Sequence, residues 1–88
     1  MDDSLIVGSF VRSKAGRDAG NNYVIFRIEN EYVYLVDGKN RTIDRPKKKK
    51  KKHIESLGIH DPYLTEKINS ANVRNEEIKR AIKLLIKE

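Results

Sequence analysis

The first half of the chain alternates short apolar segments with turn-forming residues. Residues 10–11, 23–28 and 32–36 are rich in β-branched and aromatic side chains, which favour strands. Successive side chains of a strand point to opposite faces, so residues 23–28 should present two different faces. The predicted faces are Val24, Phe26 and Ile28 on one side and Tyr23, Ile25 and Arg27 on the other. The pattern therefore predicts a sheet of short strands.

Turn-forming residues separate these segments. Asp37–Gly38 tolerates the positive φ angles of a tight hairpin turn, so residues 41–43 are expected to form the returning strand. Gly16 and Gly20 are likewise expected in turns, within a loop that covers residues 13–22. Four or five short strands in about 50 residues cannot form two large sheets, and they predict a small, strongly bent barrel.

The second half of the chain has the spacing of helices. Asp61 followed by Pro62 predicts a helix start, because Asp caps free backbone amides and Pro fits the first helical position. Asn75 is predicted to cap a second helix. Apolar side chains then recur at helical spacing and form one stripe, which needs a surface to pack on. The members of this stripe are Ile78, Ala81, Ile82, Leu85 and Ile86.

Together these elements predict a mainly β chain with two parts. A small barrel of about five strands is expected over residues 1–53, ending in a run of lysines. A helical extension is expected over residues 54–88. With 88 residues, the chain has the size of one small domain.

Positive charge is concentrated in one segment. The formal net charge is +6. Residues 1–46 contain seven basic and seven acidic residues, and residues 54–88 contain six of each. The whole excess therefore lies in Lys47–Lys52, and the rest of the chain is electrically balanced.

Composition argues against catalysis and against metal or cofactor binding. There is no cysteine, so disulfides, thiolate metal sites and cysteine nucleophiles are excluded. The two histidines, His53 and His60, do not make the pattern of a zinc site. No serine lies in a Gly-x-Ser-x-Gly turn, and the glycine-containing loop lacks the Gly-Lys-Ser/Thr of a nucleotide-binding loop. We therefore expect a protein that is not an enzyme and needs no metal or cofactor.

The sequence also lacks the signals of a membrane protein. Its apolar runs are far shorter than the roughly 18 residues that span a bilayer. The start, Met1-Asp2-Asp3, is acidic where a secretory signal is basic. Because the absence of cysteine also fits a reducing compartment, these features favour a cytoplasmic protein.

The lysine run is the strongest signal in the sequence. Six adjacent lysines repel one another and must be solvated or paired with anions. One interpretation of Lys47–Lys52 is a flexible, solubilising linker or an import-like basic tract. The favoured interpretation is an arm along a phosphate backbone, because the run is tethered at both ends. Such contacts give affinity and placement and do not distinguish RNA from DNA.

The loop of residues 13–22 is a second candidate site. Lys14 and Arg17 stand beside glycines that would let backbone amides approach a phosphate. The alternative is an ordinary inter-strand loop, and composition alone does not separate the two. The tyrosines are expected at the rim, with wet hydroxyls, rather than as stacking platforms for bases.

Residues 10–25 resemble a KOW motif, in which a basic, glycine-containing loop joins two strands. Gly20 matches the characteristic glycine of the motif. The residues that match its charged positions are Lys14, Arg17 and Asp18. Tyr34–Gly38 is similar to the hairpin that follows the motif in the ribosomal protein group L14e, L6e and L27e, and the chain looks closest to small bacterial L14e-like proteins. The resemblance covers about residues 5–53 and implies an SH3-like barrel that binds RNA, most often ribosomal RNA.

The sequence therefore predicts a non-catalytic module that binds structured RNA. Ribosomal RNA is the expected ligand, ribosomal proteins are candidate neighbours, and a monomer is favoured. The expected RNA contacts are Arg12, Lys14, Arg17, Arg41, Arg45, Lys47, Lys48, Lys49, Lys50, Lys51 and Lys52. The rival interpretation is a protein-interaction module of the transcription or translation machinery, in which the helical stripe docks on a partner or a second copy. A DNA-binding protein is a third alternative.

Overall fold

The computed structural model describes residues 5–86 of the chain. Met1-Asp2-Asp3, which is unlike a secretory signal, lies outside this range. The elements, in chain order, are β1 (Ser9–Ser13), β2 (Asn22–Glu29), β3 (Tyr32–Val36), β4 (Lys47–Lys50), a 3-10 turn (Lys51–His53), β5 (Ile54–His60), α1 (Pro62–Asn69) and α2 (Asn75–Ile86). The predicted fold class, mainly β with helices in the C-terminal part, is confirmed.

The strands form one antiparallel sheet in the order β4-β3-β2-β1-β5. β4 and β5 are its two edges, and within residues 5–86 they do not pair with each other, so the sheet is not closed. The three strands expected from the apolar segments are present, and β3 has its predicted bounds. In place of a closed barrel, the chain forms an open five-stranded sheet.

The returning strand predicted at residues 41–43 is wrong, because the strand that pairs with β3 is β4. The Asp37 carboxylate accepts hydrogen bonds from the backbone amides of residues 39–41 at 2.8–2.9 Å. Ile43 donates its amide to Asn75 Oδ1 on α2 at 2.9 Å. These contacts occupy the backbone donors of the segment and hold it as a compact loop, so pairing with β3 begins only after it.

A fifth strand, β5, lies in the segment predicted to belong to the helical extension. β5 pairs antiparallel with β1, with Ile54 opposite Ser13 at one end. The boundary predicted at residue 53 thus falls between two strands of one sheet, and the helical part begins only at Pro62. The segment lacks regular alternation and contains Gly58 at φ +76°. Its strand conformation therefore depends on the partner strand rather than on its own pattern.

Two hydrophobic clusters occupy opposite faces of the sheet. The buried members of the inner cluster all come from strands: Val11, Tyr23, Ile25, Val33, Leu35 and Ile54. Because none of the described helix residues belongs to this cluster, the sheet must curve around these side chains to keep them from water. The outer cluster joins the other face to the helical part through Phe10, Val24, Val36, Leu64, Val73, Ile78 and Ile82. The sheet therefore encloses one core and carries the helices on a second.

A bulge in β2 changes the faces predicted for residues 23–28. The first four of these residues follow the predicted alternation between the two clusters. The register then shifts between Ile25 and Arg27. Ile28 consequently joins the inner cluster, and Arg27 faces outward opposite Tyr34. The extra residue of a bulge reverses the alternation, which is why the predicted faces of these last two residues are wrong.

The apolar stripe of α2 packs on the sheet of the same chain. Ile78 and Ile82 are buried in the outer cluster, and Ala81 and Leu85 pack against it. The side chain of Ile86 lies outside the described part of the structure. The surface that this stripe needs is thus supplied by the chain itself.

The two predicted helix caps have different outcomes. Asp61 accepts hydrogen bonds from two amides in the first turn of α1 and caps it, as predicted. Asn75 instead binds the amide of Ile43, while Glu77 reaches back to the amide of Arg74 at the start of α2. Asn75 therefore fastens α2 to the loop between β3 and β4.

Candidate nucleic-acid interface

The lysine run forms an edge strand and a turn rather than a solvated arm. Lys47–Lys50 is β4, and residues 51–53 form the 3-10 turn that leads into β5. The turn is held by a hydrogen bond from the Lys51 amide to the Glu31 carbonyl at 2.8 Å. Exposed sheet edges commonly carry lysines, because their charge discourages pairing with further chains. The position of β4 at the edge therefore makes an all-lysine strand acceptable.

Strand pairing divides the four lysines of β4 between two faces. Lys47 and Lys49 lie opposite two members of the inner cluster. Directly opposite residues of an antiparallel pair share a face, so these two, called the inner lysines, belong to the inner face. Lys48 and Lys50, called the outer lysines, lie opposite two tyrosines of β3 on the outer face.

The inner lysines bind one buried carboxylate. Lys49 Nζ is 2.8 Å from Asp18 Oδ1 and 2.9 Å from the carbonyl oxygen of Ala15. Lys47 Nζ is 3.4 Å from Asp18 Oδ2. Ser13 donates its hydroxyl to Asp18 Oδ1 at 2.9 Å, and Asp18 is only 9% exposed. These residues, called the Asp18 cluster, hold the loop of residues 13–22, called the basic loop, against β4.

The Asp18 carboxylate is ionised throughout the neutral range. Burial raises the pKa of Asp18, but hydrogen bonds from Lys49 and Ser13 and the charge of Lys47 outweigh burial and lower it from 3.8 to about 2. Burial also raises the pKa of Tyr23, whose hydroxyl donates to Asp18 Oδ2 at 3.4 Å. The two inner lysines therefore face one permanent negative charge and are already paired within the protein.

The outer lysines and the turn keep their charges at the surface. Lys48 and Lys50 are exposed, and Lys48 Nζ lies 4.4 Å from the ring centroid of Tyr32. Lys50, Lys51 and Lys52 line a hollow of about 330 Å³ next to the turn between β2 and β3. These lysines are the part of the run that an external anion can reach.

The basic loop presents two of its predicted contact residues to solvent. Lys14 and Arg17 are exposed. Gly16 and Gly20 adopt φ angles of +84° and +92°, in keeping with their predicted place in turns. The Asp18 cluster bonds this loop to β4, so the loop that carries these two cations lies next to the lysine strand.

The three arginines predicted to contact RNA have different surroundings. Arg12 lies on β1, and its guanidinium is 3.8 Å from Glu55 on β5. Arg41 is half-buried and Arg45 is exposed, both in the loop between β3 and β4. Arg12 is thus engaged by β5, while the other two stand at the end of the sheet where β4 begins.

Gly38 is required by the way its loop meets α2. Its φ angle is +79°, and a methyl group there would overlap the backbone oxygen of Asn75 and crowd Lys79. A glycine therefore lets the loop after β3 approach the helix closely.

A cavity of about 750 Å³ forms a groove beside this contact, between α2 and the loops at the same end of the sheet. Its charged lining residues carry both signs: Asp37, Lys39, Glu76, Lys79, Arg80 and Lys83. Among the described residues that line it, none belongs to the lysine run. The groove is therefore a separate, mixed-charge surface.

Sequence reasoning missed two features of this region. Asp18, which the sequence grouped with the charged residues of the basic loop, is buried against the inner lysines. Tyr32 and Tyr34, assigned from the sequence to the rim, and Arg27, assigned to no site, share the outer face with the outer lysines. The spacing of the two tyrosines is a signal for a common face. This spacing points to a binding surface only when the lysines are known to form the neighbouring strand.

Within residues 5–86, no group of three His, Asp or Glu side chains could hold a metal ion. Neither helix in that range has the length and apolar character needed to cross a bilayer. No protein-family model matches the chain, and no curated protein matches it.

Proposed function

We propose that the chain is a non-catalytic, cytoplasmic RNA-binding module whose ligand is ribosomal RNA. The outer lysines, the lysines of the turn and the exposed cations of the basic loop bind its phosphate backbone. The observation that carries the proposal is that the loop resembling a KOW motif is bonded to the lysine strand through Ala15 and Asp18. The proposed contacts are Lys14, Arg17, Lys48, Lys50, Lys51 and Lys52.

The distribution of charge supports this assignment. Outside Lys47–Lys52 the basic and acidic residues balance, so the positive field of the molecule originates at this edge. The edge position leaves the outer lysines open to solvent. A row of solvated ammonium groups on an ordered strand loses little backbone freedom when it meets a polyanion, because the backbone is already fixed.

The competing interpretation is a protein-interaction module that uses the stripe of α2. Ile78 and Ile82 are buried against the sheet of the same chain, so that face of the helix is already occupied. The exposed Leu84 lies outside the stripe. The feature that suggested docking on a partner is therefore accounted for by the fold.

The division of the lysines changes the expected salt dependence. The inner lysines are held by Asp18, which leaves four lysines of the run for phosphates. Four contacts predict that the logarithm of affinity falls with the logarithm of salt concentration at a slope of about −3 to −4. The loop cations steepen this slope further where they also contact phosphate.

The test is binding of the chain to deproteinised ribosomal RNA across a salt series. Lys48→Gln/Lys50→Gln should make the salt slope shallower by about 2 and weaken binding, because two phosphate contacts are lost. The matched variant is Lys79→Gln/Lys83→Gln, which removes the same charge from exposed positions on α2 that line the mixed-charge groove. That variant should keep the slope of the unmodified chain.

Equal effects of the two double variants would show that binding follows net charge alone and would contradict a site on β4. Absence of salt-dependent RNA binding by the unmodified chain would overturn the proposed function. Duplex DNA that competes as well as ribosomal RNA would favour the DNA-binding alternative.

A further inference from the structure

The outer face of β2, β3 and β4 carries two rows of polar and aromatic side chains. Arg27 lies opposite Tyr34 on β3, which in turn lies opposite Lys48 on β4. In the next row of this face, Glu29, Tyr32 and Lys50 lie side by side in the same order of strands. The bulge in β2 is what brings a cation, rather than an apolar side chain, beside the first tyrosine.

These rows extend beyond the part of the face that the helices cover. The outer cluster includes Val24 and Val36, at the other end of the same strands, but neither Tyr32 nor Tyr34. Tyr32 and Tyr34 are half-buried, and Lys48 and Lys50 are exposed. The two tyrosine rings are therefore held in place by the sheet while remaining at the surface.

Each ring has a cation over one face, so a base that stacks on that face takes the place of the cation. Lys48 Nζ lies 4.4 Å from the ring centroid of Tyr32, and the Arg27 guanidinium lies 5.6 Å from that of Tyr34. The one acid of the two rows, Glu29, is bonded to Arg27 at 2.9 Å and accepts the Tyr34 hydroxyl at 3.1 Å. Three cations against one already paired carboxylate leave this face positive.

Fixed aromatic rings beside cations are the combination that holds unpaired nucleic-acid bases. A ring stacks on a base of any sequence, and the neighbouring cations neutralise the phosphates that flank it. Two tyrosines at alternate positions of one strand stand about 6.8 Å apart, which leaves room for a separate base on each ring. Bases inside a duplex are stacked on one another and cannot reach such rings.

We propose that this face binds unpaired nucleotides of RNA, with one base stacked on each of Tyr32 and Tyr34 and the adjoining phosphates on Arg27, Lys48 and Lys50. The proposal rests on the RNA-binding function above and deepens it by naming a single-stranded segment as the RNA element recognised. The lysines of the turn lie at one end of this face, next to the hollow beside the β2–β3 turn. They would bind further phosphates of the same RNA strand.

The experiment compares a labelled ten-nucleotide oligouridylate with a blunt RNA duplex of equal charge. Tyr32→Leu and Tyr34→Leu should each weaken binding of the single strand by about 5- to 150-fold, which is the range for loss of one stacked base. Binding of the duplex should not change. Tyr32→Phe and Tyr34→Phe keep the ring and should retain binding. Tyr63→Leu, at an exposed tyrosine on α1, is the control and should have no effect.

A second measurement needs no variant. In the unmodified chain, the ring protons of Tyr32 and Tyr34 should shift upfield when the oligouridylate is added, and those of Tyr63 should not. Single-strand binding that is equal in the Leu and Phe variants, without ring shifts, would overturn this proposal while leaving RNA binding intact. Failure of the unmodified chain to bind either RNA would instead count against the proposed function itself.

Discussion

Lys49 and Lys50 are neighbours in sequence, and β4 gives them opposite surroundings. The side chain of Lys49 is 10% exposed and pairs with Asp18 at 2.8 Å, whereas Lys50 is exposed and lines an open hollow. A buried ammonium group without a partner costs several kcal/mol, so the inner face needs the carboxylate. On the outer face water and salt screen the repulsion between lysines. One residue type thus serves folding on one face of a strand and is free for binding on the other.

The largest effect is expected from removing the carboxylate on the inner side. Asp18→Ala leaves Lys49 buried without its charged partner, with only the Ala15 carbonyl as acceptor. It should lower the free energy of unfolding by about 3–5 kcal/mol, measured by urea denaturation. Glu55→Ala, which breaks the exposed contact with Arg12 at 3.8 Å, is the control and should change it by less than about 1 kcal/mol. Similar losses in the two variants would mean that the inner lysines do not depend on a buried pair.

A smaller loss of unfolding free energy is expected when the pH is lowered. The pKa of Asp18 is lowered from its ordinary 3.8 to about 2 by folding. Its contribution, about 2 kcal/mol, is therefore present above about pH 4 and is lost as the pH falls through 2. Urea unfolding at pH 5 and at pH 2.5 should show a larger loss for the unmodified chain than for Asp18→Asn. A loss of the same size in both would contradict the assignment of this stability to Asp18.

The smallest effects on stability are expected from single substitutions of the two neighbouring lysines, Lys49 and Lys50, and the two substitutions should differ. Lys49→Gln should lower the free energy of unfolding by about 1–2 kcal/mol, because a charged hydrogen bond is lost while Lys47 still faces Asp18. Lys50→Gln should leave it within about 0.5 kcal/mol, as expected for a surface position. The order should reverse in RNA binding, where Lys50→Gln has the larger effect. If one of the two lysines dominated both measurements, the functional division of β4 would be wrong.

Local patterns in the sequence were sufficient for the strands and helices that carry their own signal. The apolar segments predict β1, β2 and β3, and the cap at Asp61 with the stripe of α2 predicts two helices that need a surface. Each of these features is local, because alternation and helical spacing act over a few residues. The bulge at Phe26, by contrast, depends on how β3 lies against β2, and no local pattern in the sequence predicts it.

β4 and β5 show where local patterns end. A run of lysines has no apolar alternation, and Ile54–His60 has little, so neither predicts a strand by itself. Both become strands because neighbouring strands offer backbone partners, and that contribution exists only after the chain has folded. The interpretation of Lys47–Lys52 as an arm did not include the backbone partners that β3 offers to Lys47–Lys50.

The candidate site also has features that the sequence predicts and features that only the fold brings together. The charge of Lys47–Lys52 and the cations of the basic loop could be identified from composition and spacing. That Asp18 binds two of these lysines could not, because Asp18 and Lys49 stand 31 positions apart in the sequence and meet only in the folded chain. The tyrosines of the outer face were visible as a pair, but their cationic neighbours belong to other strands.

By itself, the sequence determined the amount of charge, its place in the chain, the segments of β1, β2, β3 and the two helices, and the absence of cysteine chemistry. These properties belong to single residues or to short stretches, so they hold whatever the chain later contacts. Only the tertiary structure decided which lysines are paired inside the protein and which remain at its surface. That choice depends on the face of an edge strand, and an all-lysine strand acquires two different faces only when the rest of the sheet curves around one of them.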